Sequence, residues 1–584
     1  MTERENADES AEDSAGAGVA VALSALTLAA CGGGGGSSTP PPVQNPPPVV
    51  PPVVPPPVTI TDAEAARFLL QAQFAVTDTD LAAVKANGYA AWLTTNYNAA
   101  PGQTGVAWLD SRGHNSITSE QRYFWPQFGD FMIWNQLLAG PDQMRKRFAF
   151  ALSEFFVVSL SPIDGFYPPY VIAAYWDVLC ANAYGNFRTL LEAITLNAGM
   201  GFFLNTKGNL KEDANGRQPD ENYAREVMQL FTIGLYELNA DGTQRLDANN
   251  QPIETYGQSD ITNLARVFTG YDWDYTGNVN TTVAWHPYPV PNTRFATNPM
   301  RFIPGNHSNL AATFLGTTIP ANTPGPEALR IALDRLFNHA NTGPFFARQM
   351  IQRLVTSNPS PAYVGRVAAA FADNGSGVRG DMKAVWTAIL NDTEARTLPA
   401  ASDTLSGKLR EPVVRLVQWA RTVGITSSNG AYEIYDLSGS DTSLGQSPLR
   451  SPSVFNFFRP GYVPPNTAIA AAGKQAPEFQ LLNETTTAGY INFMQGMTRN
   501  GYYSFDVNPS YTTLMTIAHD VPAVIAWLNL RLTANQLSAT TLAVLQATLS
   551  AFNVTAGSAE NLKLDMLATA CFLILCSPEY LVQK

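Results

Sequence analysis

From about Thr59 onward, apolar residues recur every three or four positions, the period of helices with one buried face. TDAEAARFLLQAQF opens the series with a Thr or Asp cap and sets Ala65, Phe68, Leu69 and Ala72 on one stripe. The same period predicts helices in MRKRFAFALSEFFVVS, FRTLLEAITLN, DITNLARVFTG, PEALRIALDRLFNH, PFFARQMIQRLVTS and PAYVGRVAAAFADN. It continues through MKAVWTAILNDTEAR, KLREPVVRLVQWARTV and ENLKLDMLATACFLILCSPEYLVQ. The expected class is mainly α, a large multi-helix body.

The period fails in three places. LYELNADGTQRLDANNQPIETY, from Leu235 to Tyr256, carries an Asp-Gly turn between short alternating segments and predicts a small β-hairpin. From Tyr271 to about Pro324 the chain is aromatic and aperiodic, and a loop that long inside a compact body is usually functional. A second irregular region runs from about Ser427 to Asn466.

The N-terminal segment has a different pattern. AGAGVAVALSALTLAAC has an apolar stretch too short for an ordinary bilayer span, and Leu28, Ala29, Ala30 and Cys31 resemble the bacterial lipobox, in which the Cys carries lipid. A Gly run and then Pro-rich sequence follow to Pro57, and about 18 extended residues at ~3.1 Å each make a stalk of roughly 55 Å. The expected organisation is a signal and lipobox segment at 1–31, a linker at 32–57 and a helical body at 58–584. Expected localisation is the cell envelope, lipid-anchored, at the outer membrane and facing either the periplasm or the surface. Six acids against the single Arg4 precede the apolar stretch, the reverse of a signal peptide, which a start assigned too far upstream explains.

Composition narrows the chemistry. With 36 basic against 48 acidic residues and a net charge of -12, the basic field that drives nucleic-acid binding is missing. Cys31, Cys180, Cys571 and Cys576 show no zinc or haem spacing, and buried free thiols are the expected state of the last three. No HExxH, GxSxG, P-loop or dinucleotide fingerprint is present, so the sequence indicates neither a metal site nor a cofactor.

Charged residues are only 14% of the chain, yet PDENYAREVMQLFTIGLYEL at 219–238 concentrates five of them. Read as a helix with Pro219 in its first turn, it places Tyr223, Val227, Leu230, Phe231 and Gly234 on one face and Glu221, Asn222, Arg225, Glu226 and Gln229 on the other. That polar face is a structural lock, a site or a solvated surface, and burial decides among them. As a site, Glu226 would be the acid or base, Arg225 would tune it, Asn222 and Tyr223 would orient substrate, and Glu221 would assist. A glycosidase needs two carboxyls about 5 to 10 Å apart, and Asp272 and Asp274, opening the aromatic loop, are the candidate partners. Trp273, Trp285, His286 and His307 in that loop are the candidate substrate contacts, with a loop mini-core as the alternative.

Several of these segments together resemble the bacterial family called domain of unknown function 1800. The carrying residues are AARFLLQAQF, RFAFALSEFFVVS, PDENYAREVMQLFTIGLYELN, ARVFTGYDW, the FLG at 314–316, FFARQMIQRLVTSNPSPAYVGRVAAAF, KLREPVVRL, SPSVFNFFRPGY and SPEYLVQ. The resemblance implies a large, helical, exported protein, often encoded beside a sulfatase-like or phosphatase-like companion, and carries over no catalytic residues. Many relatives have a His-containing FWHNHF-like stretch where this chain has ALSEFFVVS, which puts any role of those histidines in doubt here.

Two functions are expected. One is a lipoprotein acting on extracellular polysaccharide or a related polymer by carboxylate acid and base chemistry. The other is a non-catalytic scaffold working with a secreted partner enzyme. The membrane is a partner of either through the lipid anchor, and nucleic acid of neither.

Overall fold

The computed structural model describes residues 59–117, 124–400, 402–502 and 506–584. The signal, linker and Cys31 expectations lie outside the described residues. Among these residues helices dominate, as the periodicity predicts, and strands form only two-stranded ladders. In α1 (Asp62–Ala72), Thr61 and Glu64 form a reciprocal capping box, and Ala65, Phe68, Leu69 and Ala72 are sealed in the core. α2 (Gln143–Ser153), α3 (Phe187–Thr195), α4 (Asn222–Gln229), α5 (Gln258–Val267), α6 (Gly325–Phe337), α7 (Thr342–Leu354), α8 (Pro412–Val423) and α9 (Glu484–Asn500) follow in chain order.

Three of these helices are buried nearly all round. α2, α7 and α8 bury Arg147, Arg353 and Arg415 along with their apolar residues. Charges there must find partners inside the protein, because desolvating them unpaired is costly.

Two helix starts differ from the sequence reading, each for a local reason. α4 begins at Asn222 rather than in the turn at Pro219, because Asn209 ties down the backbone of Asp220, accepting from its N–H at 2.9 Å and donating to its carbonyl at 3.2 Å. α8 begins at Pro412 rather than Lys408, because a residue before proline avoids the helical region and Glu411 is extended, at φ -65° and ψ 143°. The freed residues form β3 (Lys408–Leu409), antiparallel to β4 (Val582–Gln583), after β1 (Tyr271–Asp272) and β2 (Arg301–Phe302) have paired earlier in the chain.

The predicted hairpin turns twice. Bridges Tyr236 to Glu254, Leu238 to Gln244 and Leu246 to Pro252 make a three-stranded meander, with Gly242 supplying the left-handed φ of +76° at the first turn. The irregular region from Ser427 does not stay on the surface: it buries Ile434, Leu437, Leu444, Gln446, Ser447 and Leu449. Leu449 takes a left-handed φ of 59°, and its carbonyl accepts from Leu160 N–H at 2.8 Å. Arg450 forks onto the buried Asp130 carboxylate at 2.8 and 2.6 Å, staking the segment in place. Cys180, Cys571 and Cys576 are free thiols.

Candidate functional site

The polar face of α4 divides into two environments. Glu221 accepts from Gln258 Nε2 at 3.0 and 2.8 Å and from Thr262 Oγ1 at 2.7 Å, both on α5, and pairs with Arg225 at 3.4 Å. The Thr262 bond first, then Gln258 and Arg225, outweigh partial burial and hold its carboxyl below the usual range. Tyr223 turns inward, and its hydroxyl meets Thr195 on α3 at 2.7 Å. These contacts clamp α4 between α3 and α5.

Glu226 stands apart from this clamp. It is sealed, its Oε2 has no hydrogen-bond partner, and burial pushes its carboxyl up with only part of the shift offset by Arg225. No hydrogen bond joins Asn222 to it among the described residues, and the Asn222 backbone N–H donates to Asp220 Oδ1 at 2.8 Å.

The loop candidates are dispersed. Asp272 lies in β1 opposite Arg301 and accepts from Trp273 N–H at 2.7 Å, and Asp274 accepts from Thr276 N–H at 2.9 Å, so both carboxylates serve local turns. Trp273 is sealed, its indole donating to Ala198 O at 2.9 Å, and it packs with Phe295 and Phe202 in a mini-core. His307 is sealed with Nδ1 2.9 Å from Thr269 O, and burial lowers its pKa. Trp285, His286 and the exposed Tyr288 form a separate turn against Phe124 and Phe166. Among the described residues no hydrogen bond or ion pair joins the loop acids to Glu221 or Glu226.

Part of that loop does border a cavity. Thr297, Asn298 and Pro299 face α3 and α6 across an open groove of about 540 Å³, which Arg188, Glu192 and Asp334 also line. Its charges compensate one another: Arg188 pairs with Glu192 and with Asp334 at 2.7 Å each, and Arg330 pairs with Asp334 at 2.7 Å.

The most unusual electrostatics lie at the centre of the molecule. The last turn of α2, α7, the residues before α8, the buried irregular segment and Glu478 bring Arg147, Glu154, Arg353, Lys408, Glu411, Gln446 and Glu478 together, all at most 6% exposed. Lys408 Nζ lies 2.9 Å from Glu478 and 3.7 Å from Glu411, and Arg353 lies 3.8 Å from Glu154. Gln446 donates to Glu411 Oε2 at 2.8 Å and accepts from Val413 N–H at 3.2 Å, supplying the helix cap that Glu411 does not.

Glu154 and Glu411 are buried close enough to perturb one another, and Glu154 Oε1 and Oε2 and Glu411 Oε1 have no conventional donor, so two such carboxyls stay together by holding one proton between them. Burial and then Glu411 hold Glu154 well above the ordinary carboxyl range, so it keeps the proton, with Arg353 and Lys408 offsetting part of the rise. Burial also pushes Glu411 upward, but the bond from Glu154, together with Lys408 and Arg147, brings it below the ordinary value. Beside Glu154 lies a cavity of about 10 Å³, near the space of one water, bordered by Ser447, Ser451, Asn456 and Phe457. Ser447 Oγ and Ser451 Oγ, both buried, have no hydrogen-bond partner. The arrangement is a carboxyl dyad, one member protonated and one ionised, next to room for a small polar group.

Spacing could not have found this centre, because its members come from segments up to 331 positions apart, from Arg147 to Glu478. One signal existed: Glu154 interrupts the apolar run FAFALSEFFVV, where an acid is costly unless it has a task or a partner.

Among the described residues no group of three or more His, Cys, Asp or Glu is placed to hold a metal ion, and no helix is long and apolar enough to cross a membrane. A model of the family described as Protein of unknown function (DUF1800) matches residues 67–582. No curated protein and no solved structure matches the chain.

Proposed function

Since the chain belongs to the DUF1800 family, one of unknown function, we propose from its geometry that it is an envelope-anchored hydrolase of an extracellular polysaccharide or related polymer, using carboxylate acid and base chemistry. Glu154 and Glu411 are the reacting pair. The observation that carries this reading is a pair of mutually perturbing buried carboxyls, one of which, Glu154, borders a small cavity with unpartnered serine hydroxyls.

The contact also selects the bond. Glycosidases keep their carboxyls about 5 Å or more apart, whereas a dyad sharing one proton suits addition of water to a carbonyl. Glu411 takes a proton from water as its oxygen bonds to the carbonyl carbon, and Glu154 gives its proton to the carbonyl oxygen. On collapse Glu411 passes its proton to the departing alcohol or amine and a hydroxyl of the tetrahedral carbon returns a proton to Glu154, leaving a carboxylic acid and the starting dyad. An ester or amide borne by the polymer is therefore the substrate class, and the groove beside α3, largely apolar and with its charges paired to one another, suits an uncharged chain. Entry requires displacement of Pro452–Phe457, whose outer side is in part exposed.

The test is release of acetate and of reducing ends from acetylated and deacetylated polysaccharides, with wild type, Glu154→Gln and Glu411→Gln. Acetate release by wild type, lost in both variants while they melt cooperatively, supports the dyad. Undiminished release by Glu154→Gln would sink it.

A second reading has its own support. The α4 clamp and the staking of the irregular segment by Arg450 suit a rigid scaffold that partners a secreted enzyme.

A further inference from the structure

Lys408 and Glu411 face the carboxyl dyad, but the arginines beside them have no such neighbours. Arg410 and Arg415 are 4% and 5% exposed, and neither forms an ion pair with any carboxylate among the described residues. They repel each other instead: burial first, then Arg415 among the neighbouring charges, lowers Arg410 to about 10.

What surrounds the two guanidiniums is neutral. Arg410 lies over the Tyr580 ring and Arg415 over the Tyr490 ring, each 4.9 Å from the centroid. Those phenols donate to backbone carbonyls, Tyr580 to Arg415 O at 2.7 Å and Tyr490 to Leu575 O at 3.1 Å, and the Tyr490 oxygen also accepts from Arg415, which gives that guanidinium a neutral partner but no counter-charge. Arg415 Nε donates to Arg410 O at 2.6 Å, Arg410 Nη1 donates to Tyr580 O, and Arg410 Nε has no partner. Glu411, the one acid whose field reaches Arg415, is already engaged with Glu154, Lys408 and Gln446. Two buried cations side by side without a counter-ion are an expensive arrangement.

A pocket of about 140 Å³ opens beside them, between the start of α8 and α9. Arg415 and Tyr490 line its inner part, with Cys576 on the wall. The rest is mainly apolar, from Leu444, Leu481, Leu482 and Ile491, interrupted by Thr486 and Thr487, and Leu482 and Ile491 continue outward as exposed residues. The positive end of the 12-residue α8 points the same way, since Leu409 and Pro412 border the pocket.

We propose that this pocket binds an amphiphilic monoanion, a carboxylate with a short alkyl or aryl tail, its charge facing Arg415 and its tail lying along Leu444, Leu481, Leu482 and Ile491. The volume sets the size, because an apolar cavity near 150 Å³ accommodates a benzene-sized group. A longer tail leaves over Leu482 and Ile491. The site is independent of the dyad reading, since none of these residues belongs to the dyad.

Cys576 reports on occupancy. Burial raises its thiol to about 11, against a lowering pull from Arg415, and its half-buried position leaves it reachable by a small apolar alkylating reagent. The experiment follows Cys576 alkylation in the full-length protein by peptide mass spectrometry, with sodium octanoate, octan-1-ol or sodium acetate present. Octanoate is expected to slow labelling about tenfold at ten times its Kd, with weaker protection by octanol, which lacks the charge, and by acetate, which lacks the tail. Equal protection by octanol and octanoate would reduce the pocket to an apolar cavity, and no protection by octanoate would remove the site.

Arg415→Met is expected to abolish octanoate protection but risks the fold. Ile491→Glu, at the exposed mouth, removes part of the apolar wall and adds a like charge, so it should weaken octanol somewhat and octanoate about tenfold more than octanol. A mouth variant that binds octanoate as wild type does would overturn the assignment.

Discussion

The α4 face and the central dyad use the same residue types in opposite ways. On α4, the Glu221 carboxylate is met by an amide, a hydroxyl and a guanidinium, at an edge where water can reach. At the centre, Glu154 is met by another acid, and its balance depends on a proton and on two cations, Arg353 and Lys408, from other segments. A satisfied carboxylate holds its surroundings together, whereas an under-satisfied one is poised to change protonation state. Concentration of charge in sequence pointed to the first, and only burial and orphaned atoms point to the second.

The comparison breaks most sharply at Lys408. It is the shared cation of Glu478 and Glu411, and removing one member of a buried ion set leaves the others uncompensated. Lys408→Met should cost about 3–5 kcal/mol, read from urea unfolding with the m-value unchanged. A loss under about 1 kcal/mol would mean that the centre is wetter and less interdependent than its burial indicates.

That dependence explains how much of the protein was legible in the sequence. Elements fixed by neighbours along the chain were readable: Thr61 and Glu64 cap α1, and the Asp-Gly pair at 241–242 makes its turn. α4 was legible as a helix but not at its start, because Asn209, 11 positions away, settles the backbone of Asp220. The irregular region from Ser427 was recognised only as irregular, since nothing local shows that Gln446 will cap α8 across 33 positions. Of the site candidates, the sequence found the α4 residues of the clamp and put Glu226 ahead of Glu221 as acid or base, but it could not show that the two lie in different environments, because that is a matter of burial and of partners on α3 and α5. Trp273 looked like a platform until Phe295 and Phe202 covered it.

A titration sharpens the comparison next. Glu154 has a raised folded pKa, so the folded state binds more protons than the unfolded one once pH exceeds the ordinary carboxyl value near 4.5. Its contribution is complete below that value and is lost as pH rises through the folded pKa. Glu154→Gln removes this loss, so unfolding free energies of wild type and variant should converge or cross as pH rises above about 5. Glu221, with its lowered pKa, has the opposite sign: its contribution is present above the ordinary value and fades as pH falls through the folded one. Parallel pH profiles for wild type and Glu154→Gln from pH 5 to 9 would contradict the protonated dyad.

Within α4, Glu226→Gln tests whether the orphaned acid differs from its clamped neighbour. The amide keeps the shape and removes a group whose ionisation burial opposes, so stability near pH 7 should change by no more than about 1 kcal/mol and in the favourable direction. A loss of several kcal/mol would instead place Glu226 in the lock.

The smallest effect belongs to the contact that looked most like a site in the sequence. Arg225 and Glu221 form an i, i+4 pair at 3.4 Å with both side chains substantially exposed, a class in which the ion pair contributes only a few tenths of a kcal/mol. Arg225→Ala should therefore shift the melting temperature by no more than about a degree and leave any polymer hydrolysis unchanged. Glu221→Ala, which also removes the acceptor of Gln258 and Thr262, should cost more, about 1 kcal/mol. That ordering separates a clamp made of neutral hydrogen bonds from one made of charge: if Arg225→Ala costs as much as Glu221→Ala, the ion pair holds α4 to α5. If either abolishes hydrolysis while melting as wild type does, the reacting group lies on α4 and the central dyad is architecture.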